Sequence, residues 1–193
     1  MNGPAVHKAV FLDRDGTINV EKDYVHKIEE FEFIDGAKDA VRRLNEAEFK
    51  VVVLTNQSGI ARGYYSREDV EILHRFIQQE LTKEKAHIDA FFYCPHLPEG
   101  AMAEYAVECE CRKPKPGMVL DAQNALGIRL EESYIIGDSL SDMLLATTVP
   151  LKPILVRTGH GKETEARLTG EGLSLHGIAD DLAGAVDIII RGY

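Results

Sequence analysis

Asp13 and Asp15 stand one residue apart in "VFLDRDGTINV" (Val10 to Val20), directly after an apolar run. Like charges placed together at the end of a strand repel, so the arrangement calls for a cation. "LTNQSG" (54–59) ends a second apolar run with a hydroxyl, an amide and a glycine-containing loop, all suited to phosphate oxygens. In "CRKPKPG" (111–117), Arg112 and Lys113 precede a helix start, where side-chain charge and free backbone N–H groups both favour an anion. "IIGDSLSD" (135–142) adds Asp138 and Asp142 after another buried run. Any one of these stretches is an ordinary polar turn; together they describe one chemistry. A divalent cation held by Asp13, Asp15 and Asp138 relieves the repulsion, and oxygen ligands favour Mg²⁺ over softer metals. Lys113 and Thr55 neutralise the remaining phosphoryl oxygens, the electrostatic help that phosphoryl transfer mostly requires. One aspartate can then attack phosphorus while the other protonates the leaving group and later activates water.

A second constellation lies in "CPHLPEGAMAEYAVECEC" (94–111), which contains all three cysteines of the chain. Cys94-x-His96 and Cys109-x-Cys111 supply three thiolates and one imidazole, a closed tetrahedral donor set for structural Zn²⁺ with no open position for catalysis. A redox pair at Cys109 and Cys111 is the lesser alternative. Zinc replaces a hydrophobic core for a loop too short to fold by itself, and it fixes the approach of Arg112 and Lys113.

The elements that must position these groups alternate. "KAVFLD" (8–13), "KVVVLTN" (50–56), "IDAFFYC" (88–94), "SYIIGD" (133–138) and "KPILVRTG" (152–159) read as short buried strands. Between them fall helical patterns over 35–49, over a segment opened by Ser66 with Asp69 in a capping box, over 116–127, and near 141–148. Val70, Leu73, Phe76, Ile77 and Leu81 give the Ser66 helix one apolar face. "LAGAVDIII" is a final helix or an edge element. Such alternation predicts an α/β fold, a three-layer Rossmann-like parallel sheet with helices on both faces. Ligands bind beyond the carboxyl ends of such strands, where Asp13, Thr55, Asn56 and Asp138 all fall. No insertion is long enough for a large cap domain, so the loops at 19–34, 57–65 and 94–112 must close over substrate.

Bulk properties narrow the class. The 193 residues fit a single domain over 1–193, carrying its zinc-binding loop at 94–111. A net charge of −10 argues against nucleic acid. No run reaches the ~18 apolar residues of a membrane span, and the N-terminal stretch lacks the pattern of a signal peptide. An odd cysteine count fits a reducing cytoplasm. The expected protein is a cytoplasmic monomer acting on a small molecule. His74 and His87 read as structural or solvated, His160 as a polar loop residue, and His26 as a minority candidate for facing substrate.

The ordered set "DRDGT", "LTNQSG", "RKPKPG" and "IGDSLSD" resembles the haloacid dehalogenase superfamily of phosphohydrolases over about residues 8–160. That resemblance implies Asp13 as nucleophile and Asp15 as general acid/base. It implies Thr55 and Lys113 as holders of the phosphoryl group, Asp138 as the completing Mg²⁺ ligand and Asp142 as a nearby acid. The zinc loop joined to "CRKPKPGM", with "YVHKIEEFEFIDGA" and "TNQSGIARG", resembles the heptose bisphosphate phosphatases within the superfamily. By that resemblance Asn19, Val20, Glu21, Lys22, Thr55, Asn56, Gln57, Ser58, Arg112 and Lys113 touch substrate, with Arg112 aimed at a distal phosphate. The implied reaction removes the C7 phosphate of a heptose 1,7-bisphosphate through an aspartyl phosphate, in nucleotide-activated heptose synthesis for lipopolysaccharide-type surface carbohydrate. Histidinol-phosphate phosphatases share the zinc loop and all four motifs and are the enzymatic alternative. A phosphosugar-binding module without catalysis is the alternative of another class. One position departs from the pattern: heptose phosphatases commonly carry Lys directly after the last motif's aspartate, and this chain has Ser139.

Overall fold

The computed structural model describes residues 6–168 and 173–192. The five apolar runs become β1 (Ala9–Leu12), β2 (Lys50–Asn56), β3 (Ala90–Cys94), β4 (Tyr134–Gly137) and β5 (Lys152–Val156). A short sixth strand, β6 (Gly177–Ala179), adds an edge, and the sheet order is β3-β2-β1-β4-β5-β6. Every pairing is parallel. β1 is completely buried, as expected of a central strand covered on both faces, and so reads as a continuous apolar run rather than an alternating one.

The strand period of two still sorts its side chains. Val10, Leu12, Val51, Val53, Ile136, Ile154 and Val156 face one layer, made by α1 (Ala37–Glu46), α3 (Arg67–Lys83) and α7 (Leu182–Arg191). Ala9, Phe11, Val52, Leu54 and Ile135 face the other, where α4 (Gly117–Leu126) packs, with Leu145 of α5 (Leu140–Leu145) beside it. Met143 of α5 and Leu168 of α6 (Gly161–Leu168) cover Leu155 of β5 on that same side. A four-residue helix, α2 (Gly59–Arg62), follows β2.

Local signals account for most boundaries. The predicted capping box forms at the start of α3, where Ser66 Oγ accepts from Asp69 N at 3.2 Å and Asp69 Oδ2 accepts from Ser66 N at 2.8 Å. Val70, Leu73, Ile77 and Leu81 are buried as predicted, with Phe76 packed partly against them. Pro116 precedes α4, and Gly127 ends it in the left-handed region at φ 63°. The ending "LAGAVDIII" is helix, α7, capped by Asp181, and the edge strand β6 lies on the residues before it.

Candidate active site

The carboxyl ends of β1, β2 and β4 lie side by side at the centre of the sheet, so Asp13, Thr55 and Asp138 converge as the strand pattern requires. They line a cleft of about 220 Å³ together with Asp15, Glu21, Asn56, Gln57, Ser58 and Lys113.

Lys113 is the hub. Its Nζ lies 3.0 Å from Asp13 Oδ1 and 2.6 Å from Asp142 Oδ1, and it donates to Leu54 O at 2.8 Å. Three acceptors thus meet the three ammonium protons. The backbone is held just as firmly. Asn56 Oδ1 accepts from Lys113 N at 3.1 Å, and Asn56 Nδ2 donates to Lys113 O at 3.2 Å, tying the segment after the cysteine loop to the end of β2. Burial alone would lower the ammonium's pKa, but the Asp13 and Asp142 carboxylates raise it above its ordinary value, so Lys113 stays charged.

Asp13 takes the Lys113 contact and the Arg14 N–H (2.7 Å) on Oδ1; Oδ2 has no donor among the described residues. Burial first, and Asp142 next, hold the Asp13 carboxyl well above the usual carboxylate range. The same two causes push Asp138 up to about 6. Asp138 Oδ2 accepts from His160 N at 2.7 Å, and the backbone crowds it closely. A Cβ on Gly16, which sits at φ +76°, would come within 2.1 Å of Asp138 Oδ2.

Oxygens of Asp13, Asp138 and Asp142 lie within 4.8 Å of one another. Three buried carboxylates against one buried ammonium leave net negative charge, and an all-oxygen set of this kind suits Mg²⁺. The carboxylate of Asp15 is not in that group. The chain turns at Gly16, and Asp15 points instead to Arg14, whose guanidinium is fully buried and donates from Nε at 3.1 Å and from Nη2 at 2.9 Å. Asn19 Nδ2 (3.0 Å) and Gln57 Nε2 (3.1 Å) also donate to Asp15.

The four ligand atoms read from the sequence as a metal cage do come together. Cys94, Cys109 and Cys111 sulfurs are 3.1–3.5 Å apart, and His96 Nδ1 lies 3.3 Å from Cys111 Sγ and 3.7 Å from Cys94 Sγ. A tetrahedron with Zn–S bonds of about 2.3 Å has edges near 3.8 Å, so the residues present fit a four-coordinate zinc. Burial raises the Cys94 thiol's pKa above its ordinary value, making it a poor free nucleophile.

The remaining candidates divide. Thr55, Asn56, Gln57, Ser58 and Glu21 line the cleft. Val20 and Lys22 line a neighbouring hollow with Glu21, Asp23 and His160. Asn19 is fully buried beneath Asp15. Arg112 donates to His96 O at 3.3 Å and lines a separate hollow beside Cys109. His74 is buried and stacked on Phe91, and its pKa is pushed down to about 3 by burial, as a structural histidine should be. Ser139 Oγ donates to Asp142 Oδ2 at 2.5 Å and is 2.8 Å from Ser141 Oγ, so two hydroxyls occupy the cleft edge. Asp23, Tyr24, Tyr65, Ser141 and His160 also line the cleft; Ser141 lies in the first turn of α5, inside the last acidic motif, and the other four sit on loops without a motif of their own.

Comparison with known proteins agrees with this geometry. A haloacid dehalogenase-like hydrolase family model matches residues 19–147, and a HAD-hydrolase-like one matches 110–185. The chain is 45% identical over 174 residues to D-glycero-beta-D-manno-heptose-1,7-bisphosphate 7-phosphatase of Yersinia pestis, covering 89% of this chain and 92% of that one. The protein of that name from Escherichia coli K12 is 45% identical, with 89% and 90% covered. The crystal structure of D,D-heptose 1,7-bisphosphate phosphatase from B. bronchiseptica, complexed with magnesium and phosphate, superposes with a TM-score of 0.85 at 34% identity, covering 96% of this chain and 99% of that one. The parallel sheet, the carboxylate cleft around Lys113 and these matches agree: the chain belongs to the haloacid dehalogenase-like hydrolases, as one of their phosphatases.

Proposed function

We propose that this chain is a Mg²⁺-dependent phosphomonoester hydrolase that removes the C7 phosphate of D-glycero-β-D-manno-heptose 1,7-bisphosphate. It would do so in nucleotide-activated heptose synthesis, as one domain over residues 1–193 whose 94–111 loop is held by zinc. The observation that carries the reading is the buried Lys113 ammonium between Asp13 and Asp142, lining the cleft of a chain whose sequence relatives are named for this sugar. No helix of the described residues is long and apolar enough to cross a membrane.

Asp13 is the nucleophile. Its Oδ1 faces Lys113 and accepts from Arg14 N, while Oδ2, which has no donor among the described residues, is the oxygen to attack phosphorus. Thr55 and Lys113 hold the phosphoryl oxygens. Asp15 gives its proton to the departing sugar oxygen, then takes one from the water that opens the aspartyl phosphate. Asp13 and Asp138 would hold Mg²⁺, which supplies the positive charge that lets an anionic carboxylate approach an anionic phosphate. Cys94, His96, Cys109 and Cys111 would hold Zn²⁺, which fixes the segment leading to Arg112 and Lys113. Glu21, Lys22 and Ser58 meet the sugar, and Arg112 swings toward the distal phosphate. A bisphosphate suits a cleft without a large cap, since its second phosphate supplies orienting binding energy.

Phosphate release with Mg²⁺ tests the assignment, using both anomers of the heptose bisphosphate and histidinol phosphate. The expected result is preference for the β anomer, with heptose 1-phosphate left as product. Preference for histidinol phosphate would overturn the substrate, and silence on all three would leave a binding module.

A further inference from the structure

Tyr65 and Gln57 form a connection to Asp15 that neither the catalytic motifs nor the zinc loop require. Tyr65 Oη donates to Gln57 Oε1 at 2.6 Å. Gln57 Nε2 then donates to Thr55 Oγ1 at 2.8 Å and to Asp15 Oδ2 at 3.1 Å. The amide's orientation follows from its partners. Asp15 Oδ2 already accepts from Arg14 Nε, so the NH₂ end faces Asp15 and the oxygen faces the Tyr65 hydroxyl. Burial raises the Tyr65 phenol's pKa above its ordinary value, so the proton stays on the donor.

The ring is held in place from several sides. Tyr65 precedes the Ser66 cap of α3 and packs with Val70, the hydrophobic staple position, and with Ile60. The His26 ring stacks on it, with centroids 4.7 Å apart. Gly59 admits it: a Cβ there would lie 2.1 Å from Tyr65 Cε1. Tyr65 is only 8% exposed and Gln57 only 2%, so water cannot readily replace either bond.

We infer that Tyr65 is a positioning residue which, through Gln57, aims the Asp15 carboxyl at the leaving oxygen. The inference rests on the proposed acid/base role of Asp15. Without the phenol, Gln57 Oε1 is a buried acceptor lacking its donor and the amide is free to turn, which removes one of the donors that fix Asp15.

The test exploits the leaving group. kcat/KM reports steps through departure of the leaving group, and a good one departs with little help from an acid. Tyr65→Phe is expected to lower kcat/KM about tenfold on heptose bisphosphate and less than about twofold on p-nitrophenyl phosphate. In a Gln57→Leu background, Tyr65→Phe should cost nothing further on the sugar. Equal loss on both substrates, no loss, or a sugar-specific loss that adds fully to that of Gln57→Leu (a direct sugar contact) would overturn the inference. Asp15→Asn separates the two levels. On kcat/KM, which excludes the later water step, Asp15→Asn should fall further on the sugar than on p-nitrophenyl phosphate; if it does and Tyr65→Phe lowers both alike, only the positioning role fails, and if Asp15→Asn lowers both alike, the acid/base assignment fails first.

Discussion

The Lys113 ammonium sits 3.0 Å from the Asp13 carboxylate, and both side chains are buried. Removing one member of a buried pair leaves uncompensated charge, at a cost of about 3–5 kcal/mol. Here Asp13 and Asp142 would both lose their cation. Lys113→Met should therefore melt well below the parent protein without metal, regain part of that loss with Mg²⁺, and retain less than ~1% of turnover. Thermal melts with and without Mg²⁺, alongside phosphate release, check this; unchanged turnover would remove Lys113 from the site.

The raised carboxyl pKa values fix the sign of a pH effect. In the metal-free protein burial and the neighbouring Asp142 push the Asp138 carboxyl up to about 6, above its ordinary 3.8. Between those values the folded protein keeps a proton that the unfolded chain has released, so stability falls as pH rises through the window. Asp13, raised by burial and Asp142, acts in the same direction. Melting temperatures of the parent minus those of Asp138→Asn should decline from pH 4 to 6 without metal. Added Mg²⁺ should stabilise the parent more at pH 7 than at pH 5.

Gly16 is constrained twice, by φ +76° and by its contact with Asp138. Gly16→Ala should cost roughly 1–3 kcal/mol and weaken Mg²⁺ binding, because the new Cβ displaces a carboxylate oxygen. Calorimetric Mg²⁺ titration of the variant is the check, and unchanged affinity would place the metal elsewhere.

The sulfur–imidazole cage predicts a metal that stabilises the protein without taking part in chemistry. Cys109→Ser should lose bound zinc by elemental analysis and lower the melting temperature. Turnover should fall with it, because the loop no longer holds Lys113 against Asn56. A parent protein that folds fully without zinc would contradict the role.

Much of this was legible in the sequence, where local rules act without competition. Fully buried strands had to be apolar runs, and Ser66 and Asp69 had to cap a helix. Strand ends had to gather Asp13, Thr55 and Asp138. What escaped depends on tertiary geometry. β6 is three residues long and carries no period to detect. Spacing alone does not tell which partners the acids take: the Asp15 carboxylate meets the fully buried Arg14, while Asp142 lies among the buried acids against Lys113. Tyr65 reads as an ordinary residue before a helix cap; only the close approach over Gly59 brings its hydroxyl to Gln57.

The central claim is that Asp13 carries the phosphoryl group during turnover. Rapid quenching during hydrolysis of the heptose bisphosphate, followed by borohydride reduction, converts an aspartyl phosphate to homoserine, which peptide mass spectrometry locates. Homoserine at position 13, absent without substrate and absent in Asp13→Asn, is the predicted result. Rapid turnover by Asp13→Asn, or a trapped phosphoryl group at Asp15 or Asp138 instead, would contradict it.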